Sequence, residues 1–146
     1  MITNDVQYRN TNTLLAQFHK AVENLDAGLA GAADKKLQQL QIDATRAQAG
    51  DLAAEIAEYE QLRSGATTSF TADSLADVSK LLIQARIARA WSQRRLAEEL
   101  AIAEQQIQRY EANGYATTSL TRLCEVAAAL GLQITETAHL SASPVA

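Results

Sequence analysis

The sequence predicts an all-α protein, and three observations carry that prediction. Six glycines and one proline, Pro144, in 146 residues leave few places for a helix to break or a hairpin to turn, while the abundant Ala, Leu, Gln, Glu and Arg are strong helix formers. Aromatic residues supply only 5% of a chain that is 47% hydrophobic, so the core is built from Ala, Leu and Ile. Apolar residues recur at steps of three and four over most of the length, the spacing of a helix face. The length suits one ordinary domain or two small ones and excludes a large enzyme fold.

The opening stretch from Met1 to Asn10 is polar and lacks the basic segment followed by an apolar run of a secretory signal. With no stretch of membrane-spanning length, the expected location is cytoplasmic, with no membrane partner. The first helix is expected from about Thr11 to Ala30, because Leu15, Phe18, Val22, Leu25 and Leu29 share one face. Gly28, Gly31 and Ala32-Ala33 then loosen the chain. A second helix is expected from Asp34, as N-cap, to Leu62, with a seam of Leu37, Leu40, Ala44 and Ala47 that slips by one residue before Leu52, Ile56 and Tyr59. Residues 1–65 thus form a helical hairpin, which alone buries too little apolar area and needs a partner: the rest of the chain, a second copy, or another protein.

Ser64-Gly65-Ala66-Thr67-Thr68-Ser69 marks a change of composition, with a linker over 66–73 and a second unit over 74–134. Helices are expected there at Ser74–Arg89, Gln93–Leu100, Glu104–Glu111 and Ser119–Leu130. Gly131 suits a helix end, and the alternation Leu132-Gln133-Ile134-Thr135 leaves room for a short strand. The tail over 135–146 is expected to be disordered from Ser141 onward.

Charge separates along the same boundary. Residues 1–65 hold six basic and nine acidic side chains, whereas residues 74–134 hold seven basic and six acidic ones. Between Val78 and Ala97 stand Lys80, Arg86, Arg89, Arg94 and Arg95 with no acid among them. Taken alone such a run is a solvated face; beside a DNA-binding motif it is an electrostatic footprint.

Metal, redox and catalytic chemistry find no support. Cys124 is the only cysteine, on the face of Leu120, Leu123 and Ala127 where a buried apolar role is expected, and His19 and His139 lie far apart. Asp51, Glu55 and Glu58 sit one turn apart as an acidic stripe with no base, nucleophile or pocket signal beside them. No enzyme and no cofactor is expected.

The chemistry lies in residues Ser92 to Glu111, which describe two short helices joined by a tight turn. Ser92 caps the first, Leu96, Ala97 and Leu100 form its inner face, and Ile102, Ile107 and Tyr110 fill the angle between the helices. With Ile107 inward, the helical advance turns Gln105 and Arg109 about 160° away from it, with Gln106 and Gln108 on the flanks. Gln pairs bidentately with adenine and Arg with guanine in the major groove. Glu104 has two readings, an acceptor from cytosine or a complement to the helix dipole. Trp91 likewise reads as a packing cap or as a phosphate contact.

Over roughly residues 76–132 this pattern resembles the Xre/Cro/C1 family of helix-turn-helix regulators. Ser92-Gln93, Leu96-Ala97, Ile107, Arg109, Glu111, Ser119-Leu120, Leu123, Ala127 and Leu130-Gly131 stand at the family's spacing. The resemblance implies a lambda-repressor-like domain in which Gln93 meets a phosphate and Glu104, Gln105, Gln106 and Arg109 face bases, with Arg94 and Asn113 as further phosphate contacts. It also implies a partly buried salt bridge between Arg86 and Glu111. Ala101 stands where the family has Gly in the turn, and Ala103 where it has a Ser or Thr cap. The expected partners are double-stranded operator DNA with an inverted repeat, a second copy of the chain in a homodimer, and, by likeness of architecture to antitoxins of toxin-antitoxin operons, a basic toxin bound by the acidic hairpin. A free-standing repressor and a protein-interaction adaptor that has kept the scaffold without DNA binding are the alternatives.

Overall fold

The computed structural model describes residues 1–140 and is all-α, with no strand among them. Its helices are α1 (Asp5–Gly28), α2 (Lys35–Arg63), α3 (Val78–Ala88), α4 (Gln93–Glu99), α5 (Glu104–Ala112) and α6 (Leu120–Ala129), with single 3-10 turns at Leu29–Gly31 and Leu75–Asp77. The tail from Ser141, expected to be disordered, lies outside the described residues. No helix is long and apolar enough to cross a membrane.

The first helix begins six residues before the sequence-based boundary. Asn4 sets its start by accepting from the Gln7 backbone N–H at 2.9 Å, and Asp5 complements the dipole in the first turn. α2 starts where expected, with Asp34 accepting from the Leu37 N–H at 3.0 Å. The two helices pack antiparallel along a heptad seam. In α1 the half-buried Tyr8, Thr11, Leu15, Phe18, Val22 and Leu25 step by three and four, and Leu29 continues the line.

The expected seam of α2 is corrected by one face. Leu37, Leu40, Ala44 and Ala47 are exposed. The contacting line is Gln38, Ile42, Thr45, Ala49, Leu52, Ile56 and Tyr59, a continuous alternation of steps of four and three with no slip. Polar residues sit in it because the backbone satisfies them: Gln38 Nε2 donates to the Leu25 carbonyl at 2.6 Å, and Thr45 Oγ1 to the Gln41 carbonyl at 2.7 Å.

The hairpin is tied to the rest of the chain at one end. Ile2, Ile56, Tyr59 and Leu62 belong to the same core as Leu82, Ile83, Leu96, Ile107, Val126 and Leu130. At the same end Asp5 ties α1 to α2, accepting from Tyr59 Oη at 2.9 Å and Arg63 Nη1 at 2.5 Å. Segment 66–73 has no regular structure, and its Phe70 packs on that core. The expected helix from Ser74 resolves into the 3-10 turn and α3.

Helices α3 to α6 all end in the same way. The N–H groups of Ala90 and Trp91 return to the carbonyls of Ile87 and Arg86, those of Ala101 and Ile102 to Glu98 and Ala97, those of Gly114 and Tyr115 to Glu111 and Tyr110, and those of Gly131 and Leu132 to Ala128 and Ala127. Each is a Schellman closure, which needs a left-handed residue after the cap. Glycine fills it at Gly114 (φ 60°) and Gly131 (φ 63°), alanine at Ala90 (φ 53°) and Ala101 (φ 52°). At Gly131 a Cβ would also lie 2.5 Å from Arg89 Nη2, so a side chain there would have to displace that guanidinium.

Two further expectations are corrected. Leu132–Thr135 forms no strand, because no second extended segment pairs with it. Cys124 is exposed, as is Leu120 at 71%. α6 buries Val126, Ala127 and Leu130, and two residues of helical advance put Cys124 about 160° from Val126.

A left-handed alanine costs about 1–2 kcal/mol. Replacing Ala101 with Gly is therefore expected to stabilise the fold by about 1 kcal/mol after the added freedom of the unfolded chain is subtracted, read as a higher urea midpoint with unchanged slope. A lower midpoint would show that this alanine is unstrained in solution.

Candidate nucleic-acid interface

Ser92 opens α4, its Oγ accepting from the Arg95 N–H at 3.0 Å, and the Ala101 closure turns the chain into α5. Leu96 and Ile107, both 0% exposed, form the contact between α4 and α5, with Ala97 buried beside them and Leu100, Ile102 and Tyr110 half-buried around the angle. α5 has no side-chain cap, since Ala103 offers no acceptor, and Glu104 stands in its first turn.

One ion pair fixes the angle at which α5 leaves the domain. Arg86 of α3 meets Glu111 of α5 with Nε to Oε1 at 2.6 Å and Nη2 to Oε2 at 2.7 Å, the side chains being 3% and 1% exposed. The pair is fully buried, not partly. Arg86 Nη1 also donates to the Trp91 carbonyl at 2.8 Å and Nη2 to the Thr3 carbonyl at 2.6 Å. Glu111 Oε2 takes a third donor, Gln93 Nε2, at 2.8 Å. Every charged edge is thus engaged, the condition under which burying such a pair is tolerable.

The outer surface of α5 carries Gln105, Gln108 and Arg109, all exposed, while Gln106 and Glu104 are half-buried. Gln108 Nε2 donates to Glu104 Oε1 at 3.1 Å. Gln105 and Arg109 make no side-chain hydrogen bond or ion pair among the described residues. Adjacent one turn apart and opposite Ile107, they offer a planar amide and a planar guanidinium to a ligand lying along the helix, the groups that read adenine and guanine edges.

Residues 82–136 match the HTH_3 helix-turn-helix family model. They are a helix-turn-helix domain of the Xre/Cro/C1 type. Such a domain implies DNA binding. Neither the curated proteins nor the solved structures contain a match to the chain. α5 is the recognition helix of the helix-turn-helix domain, and α4 lies across it.

Within this domain the basic run of the sequence is distributed among four tasks. Arg86 is buried in its pair with Glu111. Arg89 Nε donates to the Leu130 carbonyl and so caps α6, a use that the sequence count did not separate from a solvated charge. Arg94 and Arg95 pair along α4 with Glu98 at 3.2 Å and Glu99 at 3.0 Å, exposed contacts worth a few tenths of a kcal/mol and easily traded for a phosphate. Lys80 is exposed on α3. Trp91 is half-buried against the core, and Arg95 and Arg89 lie 5.3 and 5.9 Å from its ring centre. Its packing role, with cation–π contacts on one side, is the one the geometry displays.

Gln93, expected to meet a phosphate, is turned inward instead, its side-chain amide donating to Glu111. Asn113 is exposed at the end of α5, with Nδ2 donating to Thr117 Oγ1 at 3.1 Å. The first turn of α1, from Asn4 to Gln7, faces Ser92, Gln93, Glu104 and Gln108 across a cleft of about 380 Å³. Nothing in the sequence pattern places residues from before the hairpin beside the recognition helix, because the contact is made by a backbone carbonyl and carries no side-chain signature. Tyr115 packs under α5, its ring centre 5.8 Å from that of Tyr110; its buried hydroxyl has no hydrogen-bond partner among the described residues, and burial together with the Glu111 charge pushes its pKa far up, so it stays neutral.

Arg86→Ala is expected to cost about 3–5 kcal/mol in urea unfolding, because Glu111 is left charged and buried. A midpoint equal to that of the parent would mean that the pair is not buried in solution. Tyr115→Phe should be neutral or slightly stabilising, since it removes a buried hydroxyl that bonds to nothing; a loss above about 1 kcal/mol would reveal a partner for that hydroxyl.

Proposed function

We propose that the protein is a sequence-specific transcriptional regulator that binds its operator as a homodimer, each copy laying α5 in a major groove of an inverted repeat. The observation that carries this reading is the pair Gln105 and Arg109, exposed together on the outer face of a recognition helix whose inner face is locked by Ile107 and the Arg86–Glu111 pair. In this reading Gln105 and Arg109 read base edges, Glu104 and Gln106 border them, and Arg94, Asn113 and the N-terminus of α4 hold phosphates. Half-sites one helical turn apart, about 34–36 Å, follow from two-fold symmetry. The helix-turn-helix unit carries little net positive charge, so phosphate neutralisation by one copy gives weak binding at cellular salt and a second half-site supplies the rest. Occlusion of its own promoter is the simplest mechanism.

A second layer to this reading makes the protein the antitoxin of a toxin-antitoxin operon, with the hairpin holding a basic toxin. What supports it is the outer face of α2, where Leu37 is 55% and Leu40 59% exposed and continue into exposed Ala44 and Ala47, on a segment with more acids than bases. A heptad-spaced apolar stripe facing away from α1 suits a helix from another chain.

The deciding experiment is an anisotropy titration of the parent and of the Gln105→Ala/Arg109→Ala double variant with DNA from immediately upstream of the gene, at two salt concentrations. The parent is expected to bind tightly and salt-dependently, and the double variant to lose about 2–6 kcal/mol of discrimination, one good bidentate contact each. Absence of specific binding by the folded parent would instead favour an interaction adaptor on a helix-turn-helix scaffold.

A further inference from the structure

Ile2 and Thr3 stand before the cap of α1. Ile2 is nevertheless only 3% exposed, in the core shared by the hairpin and the helix-turn-helix domain. The Thr3 carbonyl accepts from Arg86 Nη2 at 2.6 Å, and the same nitrogen donates to Glu111 Oε2 at 2.7 Å. Glu111 lies in the last turn of the recognition helix, two residues beyond Arg109. A continuous line of polar contacts therefore runs from the strap before α1, through one guanidinium, to the end of the helix that faces DNA.

We propose that the Ile2–Thr3 strap is a positioning element for the recognition helix, acting through Arg86, so that the seating of the hairpin and the affinity for DNA are linked. This rests on the DNA-binding reading above. Nη2 has two N–H groups, one committed to Glu111 and one to Thr3. When the strap lifts, a charged donor inside the protein loses its acceptor, a costlier state than an ordinary broken hydrogen bond. The freed N–H then takes a new acceptor, from the protein or from entering water, and Glu111, held bidentately by the same group, follows any turn of the guanidinium. Because α5 is a single rigid element, the shift reaches Arg109 and Gln105, whose groups must be held to within about half an ångström to keep two bonds on one base. The coupling is reciprocal: a partner that presses the strap home tightens DNA binding, and DNA tightens the binding of that partner by the same factor.

The test uses the full chain as parent, Ile2→Ala, Ile2→Val and Leu62→Ala. Leu62 is 5% exposed in the same core, on the hairpin, and touches none of the groups around Arg86 through hydrogen bonds. Each protein is titrated with a duplex selected by the parent from a randomised pool and with an unselected duplex of equal length, and amide exchange in residues 104–112 is followed without DNA. Ile2→Ala is expected to weaken binding to the selected duplex on the order of tenfold, to leave the unselected duplex within about twofold, and to speed exchange in α5. Ile2→Val, which keeps most of the anchor, should fall between parent and Ile2→Ala, and is compared directly with the parent if the alanine variant does not fold. Leu62→Ala should lose urea stability yet keep the parent's ratio between the two duplexes. An equal loss of selectivity in Leu62→Ala, or α5 exchange in the Ile2 variants identical to that of the parent, overturns the proposal. A parent that selects no duplex overturns the DNA-binding reading instead, and the exchange comparison then decides the strap alone.

Discussion

The structure depends on a single guanidinium. Arg86 leaves α3 inside the protein and binds acceptors from three other segments: the strap before α1 through the Thr3 carbonyl, the loop before α4 through the Trp91 carbonyl, and α5 through both oxygens of Glu111. Gln93 of α4 joins through the same carboxylate. Coulomb attraction between two such groups is offset by the loss of their hydration, so the pair adds little net stability over apolar residues of the same shape. Its effect is on geometry. A bidentate guanidinium–carboxylate contact has a direction as well as a distance, and here it holds α5 against α3 while three further segments are indexed to it. Apolar packing between Leu96 and Ile107 resists separation of the helices but resists sliding only weakly, which is the complementary constraint.

Around this centre the domain is economical with special residues. Four consecutive helices close by the same pattern of returning N–H groups, and two of the four left-handed positions are occupied by alanine. Both alanines are themselves exposed, and the strain is held by the packing of the residue that follows each one. Ala90 leads into Trp91, which is wedged against the core, and Ala101 leads into Ile102, which fills the angle between α4 and α5. Together with the missing cap at Ala103, this concentrates local weakness at the turn before the recognition helix, while its far end is clamped by Glu111.

The sequence was legible wherever one side chain carries the signal. Asp34 and Ser92 as caps, the inward Ile107, the outward Gln105 and Arg109, and the α1 face from Leu15 to Leu25 all follow from residue type and helical advance. It was illegible where backbone atoms do the work. The α2 seam was misread because Leu37 and Leu40 outweighed Gln38 and Thr45 on any hydrophobic scale, yet those polar residues discharge their bonds onto carbonyls and leave the heptad intact. Cys124 was placed by its neighbours in sequence instead of by its angle from Val126. The alternating Leu132–Thr135 has the composition of a strand, and composition cannot supply the second chain that a ladder needs. Arg89, read only as one charge in a basic run, finds its acceptor forty-one residues away on the Leu130 carbonyl.

The boundary visible in the composition near Ser64 does not coincide with a boundary in the packing. Ile2, Ile56, Tyr59 and Leu62 are buried among residues of the helix-turn-helix domain, and Asp5, Tyr59 and Arg63 bond across the foot of the hairpin. Without residues 1–65 the domain would expose the faces of Leu82, Ile83 and Ile87 that the hairpin's foot shares a core with, and would leave one donor of Arg86 without its acceptor. The distal half is different in kind: its buried residues, Ile42 and Ala49, lie outside that shared core, and the outer stripe of α2 is in solvent. The hairpin is therefore an integral support at its foot and an accessory surface at its tip. Stability argues for keeping the foot whatever the tip does, since only the foot shares its core with the helix-turn-helix domain.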